Sequence, residues 1–223
     1  LNIVGQRLEI TGAQNFDVNP PSVSPGNVTN RGYSYSYGAG LRIGWIGQLT
    51  DKITLGATYQ TRTYMSEFDE YQGLLAERGD FDIPANYGLG LSYKATARLT
   101  IAADIVHIDY DDVDSLANSI NNLPSGGLGS STGAGFGWDE QTVWKVGFEY
   151  QATPKLTLRA GLNYGKSPIS SSETAFNIFA PATVERHYTL GLTWKLDENR
   201  DVSVSYMHAY EYDIKGSDSL LVP

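Results

Sequence analysis

The chain has 223 residues, no cysteine, and 25 acidic against 16 basic side chains, for a formal charge of −9. The missing thiols exclude disulfides and cysteine-ligated metals, and the acidic balance argues against a nucleic-acid surface, which needs a basic stripe. No stretch supplies the roughly 20 apolar residues of a membrane-crossing helix, while glycine (24) and tyrosine (15) are abundant.

Taken in chain order, period-two alternation predicts nine strands, at about 1–10, 33–49, 52–66, 81–94, 98–111, 139–152, 155–166, 184–196 and 200–211. In Lys52–Tyr64, for example, Ile53, Leu55, Ala57 and Tyr59 share one face, and Thr54, Gly56, Thr58, Gln60 and Arg62 share the other. Leu156–Tyr164 and Tyr188–Lys195 repeat the pattern. The connections alternate between short and long. Thr50–Lys52, Ala95–Ala97, Thr153–Lys155 and Asp197–Arg200 are short, and 11–31, 67–80, 112–136 and 167–182 are long.

A soluble sandwich also alternates. Here the apolar faces end in Tyr or Trp strand after strand, and the opposite faces mix Gly, Thr and isolated charges. With alternating loop lengths, these features predict an all-β, antiparallel transmembrane β-barrel, with short turns periplasmic and long loops extracellular. The first residues already alternate and carry no leader pattern, and Leu220–Pro223 reads as loop-like, so both ends look cut. Nine staves cannot close a barrel without unpaired edges in lipid, so a partial barrel is expected.

Little in the chain suggests other chemistry. Asp109, Asp111, Asp112 and Asp114 crowd one strand end but lack calcium-loop spacing, so a solvated acidic rim is the expected reading and no metal site is assigned. His107, His187 and His208 and the loop serines Ser170–Ser172 match no nucleophile motif, so neither an enzyme nor a cofactor is expected. Pro84 removes a ladder donor near the start of its strand, which predicts a kink or bulge there.

Several blocks resemble the FadL/TodX family of outer-membrane transporters. They are Leu1–Gln14 (LNIVGQRLEITGAQ), Tyr37–Leu55, Asp82–Tyr93 (DIPANYGLGLSY), Trp144–Pro168, Pro181–Trp194 (PATVERHYTLGLTW) and Val202–Tyr210 (VSVSYMHAY). The resemblance implies a 14-stranded barrel plugged by an N-terminal hatch, importing long-chain fatty acids or other hydrophobic compounds. It also implies that these nine strands are the fifth to thirteenth, with the hatch outside this chain. Loops 11–31 and 67–80 would then match the family's third and fourth extracellular loops, which form a ligand-capturing groove.

Within those loops, Phe68, Tyr71, Leu74 and Leu75 fall at spacings of three and four, which predicts a short amphipathic helical turn with Glu70, Glu77 and Arg78 facing water. Its apolar side either lines the groove or packs on neighbouring loops; Phe16 and Val18 are further groove candidates. Arg42, Arg62, Lys145 and Arg159, on the lumen face, suit a fatty-acid carboxylate. The competing reading pairs them with acids such as Asp104 and Glu149. The expected function is passive uptake of a hydrophobic small molecule across the bacterial outer membrane, by a protein that is monomeric when complete and surrounded by membrane lipid and lipopolysaccharide. A structural or adhesive barrel and a general porin are the alternatives.

Overall fold

The structure, a computed structural model, describes residues 1–217, so the reading of Leu220–Pro223 lies outside the described residues. Its strands are β1 (Asn2–Leu8), β2 (Ser34–Gly40), β3 (Arg42–Gln48), β4 (Ile53–Gln60), β5 (Tyr64–Met65), β6 (Asn86–Lys94), β7 (Leu99–Ile108), β8 (Gln141–Thr153), β9 (Leu156–Gly165), β10 (Arg186–Lys195) and β11 (Asp201–Ala209). One sheet runs β11-β10-β9-β8-β7-β6-β4-β3, and a second runs β1-β2-β5. β2 and β3 are halves of one stave, and so are β4 and β5. The strands thus make nine antiparallel staves in chain order, a section of barrel wall whose edges do not meet among the described residues.

Three of the short turns share one device. Thr50 Oγ1 accepts the N–H groups of Lys52 and Ile53 at 3.2 and 3.0 Å. Thr96 does the same for Arg98 and Leu99, and Thr153 for Lys155 and Leu156. The sequence behind it is Thr-x-(Lys/Arg)-(Ile/Leu) each time. The hydroxyl satisfies donors at the turn and the following aliphatic residue starts the next strand. In the fourth turn, Asp197 takes over, accepting from Asn199 N–H at 3.0 Å and pairing with Arg200.

Burial is inverted relative to a soluble sandwich. The apolar strand faces lie open, with Ile43 68% and Leu162 62% exposed, whereas the buried core lies among the long loops, around Phe68, Tyr71, Leu74, Val28, Val113 and Leu128. A water-facing sheet of that apolarity would aggregate; a lipid-facing one is at home.

The wall is irregular at one place. β3 pairs with β4 as Arg42↔Gln60, but β2 pairs with β5 as Ala39↔Tyr64, so the third stave carries one extra residue between them. This is a β-bulge, and it corrects the continuous strands expected over 33–49 and 52–66. It also switches the face of the residues beyond it. Tyr64 would share the polar face of Gln60 and Arg62 in an unbroken strand, but it sits opposite Ala39 on the apolar face and is exposed. Leu41 stays tied across the break, its N–H donating to Thr61 Oγ1 at 3.0 Å and its carbonyl accepting Thr61 N–H at 2.9 Å. On the other side, β6 begins only at Asn86, and a lone bridge joins Thr63 to Ile83. Pro84, which has no N–H, falls in that gap as expected. Gly38 is required beside the bulge, because a Cβ there would run into the Tyr64 carbonyl and the Met65 sulfur.

Candidate functional site

The long loops form a cap with its own core. Tyr71 is fully buried, donating its hydroxyl to the Gly32 carbonyl at 2.7 Å and accepting Ile10 N–H at 3.0 Å. Phe68, Leu74 and Leu75 are buried with it, packed among Val28, Val113 and Leu128. Phe16 lies half-buried against the same core, while Val18 is exposed. The helical turn expected here is a 3-10 turn at Asp69–Tyr71, after which Glu77 and Arg78 take left-handed φ of 50° and 62°. A right-handed continuation is excluded because these residues dock on loop 112–136, where Arg78 N–H donates to the Gly129 carbonyl at 2.9 Å. Glu77 and Arg78 face water, and Glu70 instead takes a hydrogen bond from Ser34 Oγ.

Loop 112–136 is more structured than its Gly/Ser/Asn content suggests. Val113, Leu116, Ile120, Leu128 and Phe136 anchor it in the cap. The buried Glu173 fastens it to loop 167–182, accepting from Ser119 Oγ at 2.6 Å and Ile120 N–H at 2.8 Å. Trp138 Nε1 donates to Asn177 Oδ1 at 2.6 Å. A run of rings crosses this junction, Phe81–Phe136–Phe176–Phe179, with centroids 6.2, 5.0 and 5.8 Å apart, and Phe179 is partly exposed. The sequence reading did not single out Phe136, Phe176 and Phe179; the three-residue spacing of the last two within a polar loop was the available sign.

At the bulge, Arg62 binds the loop bases together. Its Nε lies 2.6 Å from Asp82 and its Nη2 3.2 Å from Asp80, and it also donates to the Asp112 carbonyl. Asp82 in turn accepts Met65 N–H at 2.6 Å. Burial, then the hydrogen bond and charge of Asp82, push the Asp80 carboxyl up to about 7, against the pull of Arg62. In the unfolded chain this group ionises near 4. Between those values the folded protein holds a proton that the unfolded chain releases, so its contribution favours folding at low pH and is lost as pH rises through about 7. Thermal unfolding of the full-length protein at pH 5 and pH 8 should therefore show a higher midpoint at pH 5, and Asp80→Asn should flatten that difference. An Asp80→Asn protein with the wild-type pH profile would refute this assignment.

On the polar strand face, which lines the lumen of a barrel, the four cationic candidates stand differently. Arg159 pairs with Glu149 at 2.8 Å and donates to Thr193 Oγ1 at 2.7 Å. Arg62 is engaged as above. Lys145 sits opposite Asp104 in register, but among the described residues neither it nor Arg42 has a carboxylate at ion-pair distance. Beside Lys145 lies a trough of about 320 Å³, floored by Gly56, Gly88 and Gly90 and flanked by Ile46, Asp104 and Val106; Arg42 lies outside its lining. The glycines create the depression, since any side chain would fill it. Of the histidines, His107 and His208 lie on the apolar face by register, with His107 between Asp109 and Glu140 at 3.2 and 3.4 Å, and His187 lies on the polar face.

Residues 11–221 match the model of a family described as outer membrane protein transport protein (OMPP1/FadL/TodX). No curated protein sequence matches the chain. Among solved structures, the TodX deltaS2S3 mutant, a monoaromatic hydrocarbon channel, is 25% identical, with a TM-score of 0.55 over 81% of this chain and 46% of that one. A Pseudomonas aeruginosa FadL homologue gives 18% identity and 0.55 over 92% of this chain and 52% of that one. The Pseudomonas putida toluene transporter TodX gives 22% and 0.51 over 92% and 51%. The last two share the fold. The chain spans about half the length of each.

Proposed function

Because the chain belongs to the outer membrane protein transport family (OMPP1/FadL/TodX), we propose that it forms the wall and loop cap of an outer-membrane channel that takes up hydrophobic small molecules, and is not an enzyme. Ligand first meets the cap, where Val18 and Phe179 are exposed and Phe16, Phe68, Tyr71, Leu74 and Leu75 form the apolar body behind them. It then passes along the polar-face trough beside Lys145.

The observation that carries the choice of ligand is Arg42, a guanidinium on the lumen face with no carboxylate partner among the described residues. A long-chain fatty acid supplies that carboxylate and an apolar tail. The ring run ending at Phe179, together with the likeness to TodX, supports monoaromatic hydrocarbons as the second reading.

Titration of the full-length protein with oleate and with toluene separates the two. Arg42→Ala should weaken oleate binding about tenfold or more, as expected for a lost charge-assisted hydrogen bond, and leave toluene binding unchanged. Saturable toluene binding without oleate binding would select the hydrocarbon reading. If neither binds, the channel reading fails and a structural or adhesive barrel takes its place.

A further inference from the structure

The apolar face of the described strands carries permanent charge at only two positions, Arg7 and Arg186. Both lie at the long-loop end of their staves, and both are held against a tyrosine ring, with Arg7 4.4 Å from the centroid of Tyr33 and Arg186 5.8 Å from that of Tyr164. The other strand arginines, lysines and acids lie on the polar face or at the bulge. A guanidinium directed at lipid is costly in the hydrocarbon and tolerated near the headgroups, where the matching group is phosphate, which it grips with a fork of donors. Arg186 is exposed, and no carboxylate among the described residues lies at ion-pair distance. Its neighbour Glu185 is buried, accepting Ser167 N–H at 2.9 Å.

Arg186 also heads a furrow. Directly below it is a depression of about 460 Å³ lined by Trp144, Leu162, Tyr164 and Tyr210. Further down the same face lies one of about 490 Å³ lined by Phe148, Leu158, Leu190 and Val204. Register explains the second, because Ala160 sits between Phe148 and Leu190 and is too short to fill the row. From Arg186 to Leu192 the strand spans roughly 20 Å at about 3.4 Å per residue. Allowing for tilt, that covers one leaflet of a hydrocarbon core about 30 Å thick. A cation at the headgroup level above an apolar furrow of leaflet depth matches one lipid molecule, phosphate up and chain down.

We propose that Arg186 and the furrow beneath it form a binding site for a lipid of the surrounding leaflet whose phosphate headgroup is net anionic. Native mass spectrometry of the full-length protein, released from micelles doped with phosphatidic acid or with phosphatidylcholine of the same chains, tests it. The wild type should retain phosphatidic acid about five-fold more, the scale of one arginine at an anionic surface. Arg186→Gln should abolish that preference, Arg186→Lys should keep part of it, and Ala160→Phe, which fills the furrow, should reduce retention of both lipids. Equal retention of the two lipids by the wild type, or a preference that survives Arg186→Gln, would overturn the site. Oleate binding should be unchanged in Arg186→Gln, so failure here is distinguishable from failure of the channel reading.

Discussion

Replacing Arg62 by Met should destabilise the loop-bearing end of the wall by about 3–5 kcal/mol, the usual consequence of leaving a buried charge without its partner. Asp82 is almost fully buried and relies on Arg62 at 2.6 Å. Removing the guanidinium leaves that carboxylate with no cation beside it, supported by the Met65 N–H and the Asp80 carboxyl alone. Urea unfolding of the full-length protein in detergent reads the loss. The triple variant Arg62→Met, Asp80→Asn, Asp82→Leu should recover most of it, since replacing a whole buried ion cluster by apolar groups is often close to neutral. A triple variant as unstable as the single one would mean that the cluster is not held by charge. Arg62→Lys should fall between, because an ammonium cannot reproduce the fork that reaches Asp80, Asp82 and the Asp112 carbonyl together.

Tyr71→Ala should cost about 3–5 kcal/mol of cap stability, the range for a large buried aromatic, and Tyr71→Phe about 1–3 kcal/mol, because Ile10 N–H and the Gly32 carbonyl lose their shared partner. Limited proteolysis should show the effect as cleavage within 67–80 and 112–136 in the Ala variant at a protease level that spares the wild type. Unchanged loops in Tyr71→Ala would mean that the cap is held from elsewhere, with Glu173 as the next anchor to test. The burial of Leu74 and Leu75 bears on the choice of uptake mutants. A charge at either position would break the cap itself, so the exposed Val18 is the cleaner probe of ligand capture.

The strands were legible because lipid-facing alternation leaves a strong period-two trace. Tyr188, Leu190, Leu192 and Trp194 define their face without any tertiary information. The bulge at Arg62 left no such trace. Its one extra residue sits between two stretches that each alternate correctly, and only the partner strand reveals the slip in phase. The cap was half legible. The spacing of Phe68, Tyr71, Leu74 and Leu75 marked an apolar cluster, but its backbone is set by loop 112–136, far away in sequence. The pairing of Arg159 with Glu149 was open to the sequence as the competing reading of the lumen cations, because both share the polar face, whereas the contact of Arg62 with Asp82 was not, since it forms only across the bulge.

The meander arrangement has a consequence for assembly. Each stave hydrogen-bonds only to its neighbours in the chain, so hairpins can zip one after another without waiting for distant segments, and each zipping step carries its own risk of misalignment. A slip of one residue is self-correcting, because it would turn Arg159 or Lys145 into lipid. A slip of two keeps every residue on its proper face, and the hydrophobic pattern cannot detect it. The lumen pairs can: Glu149 meets Arg159, and Thr193 meets Ser203 at 2.8 Å, only in the native alignment. These polar contacts therefore act as a proofreading code written on the wet side of the wall, checking the alignment that the dry side cannot check.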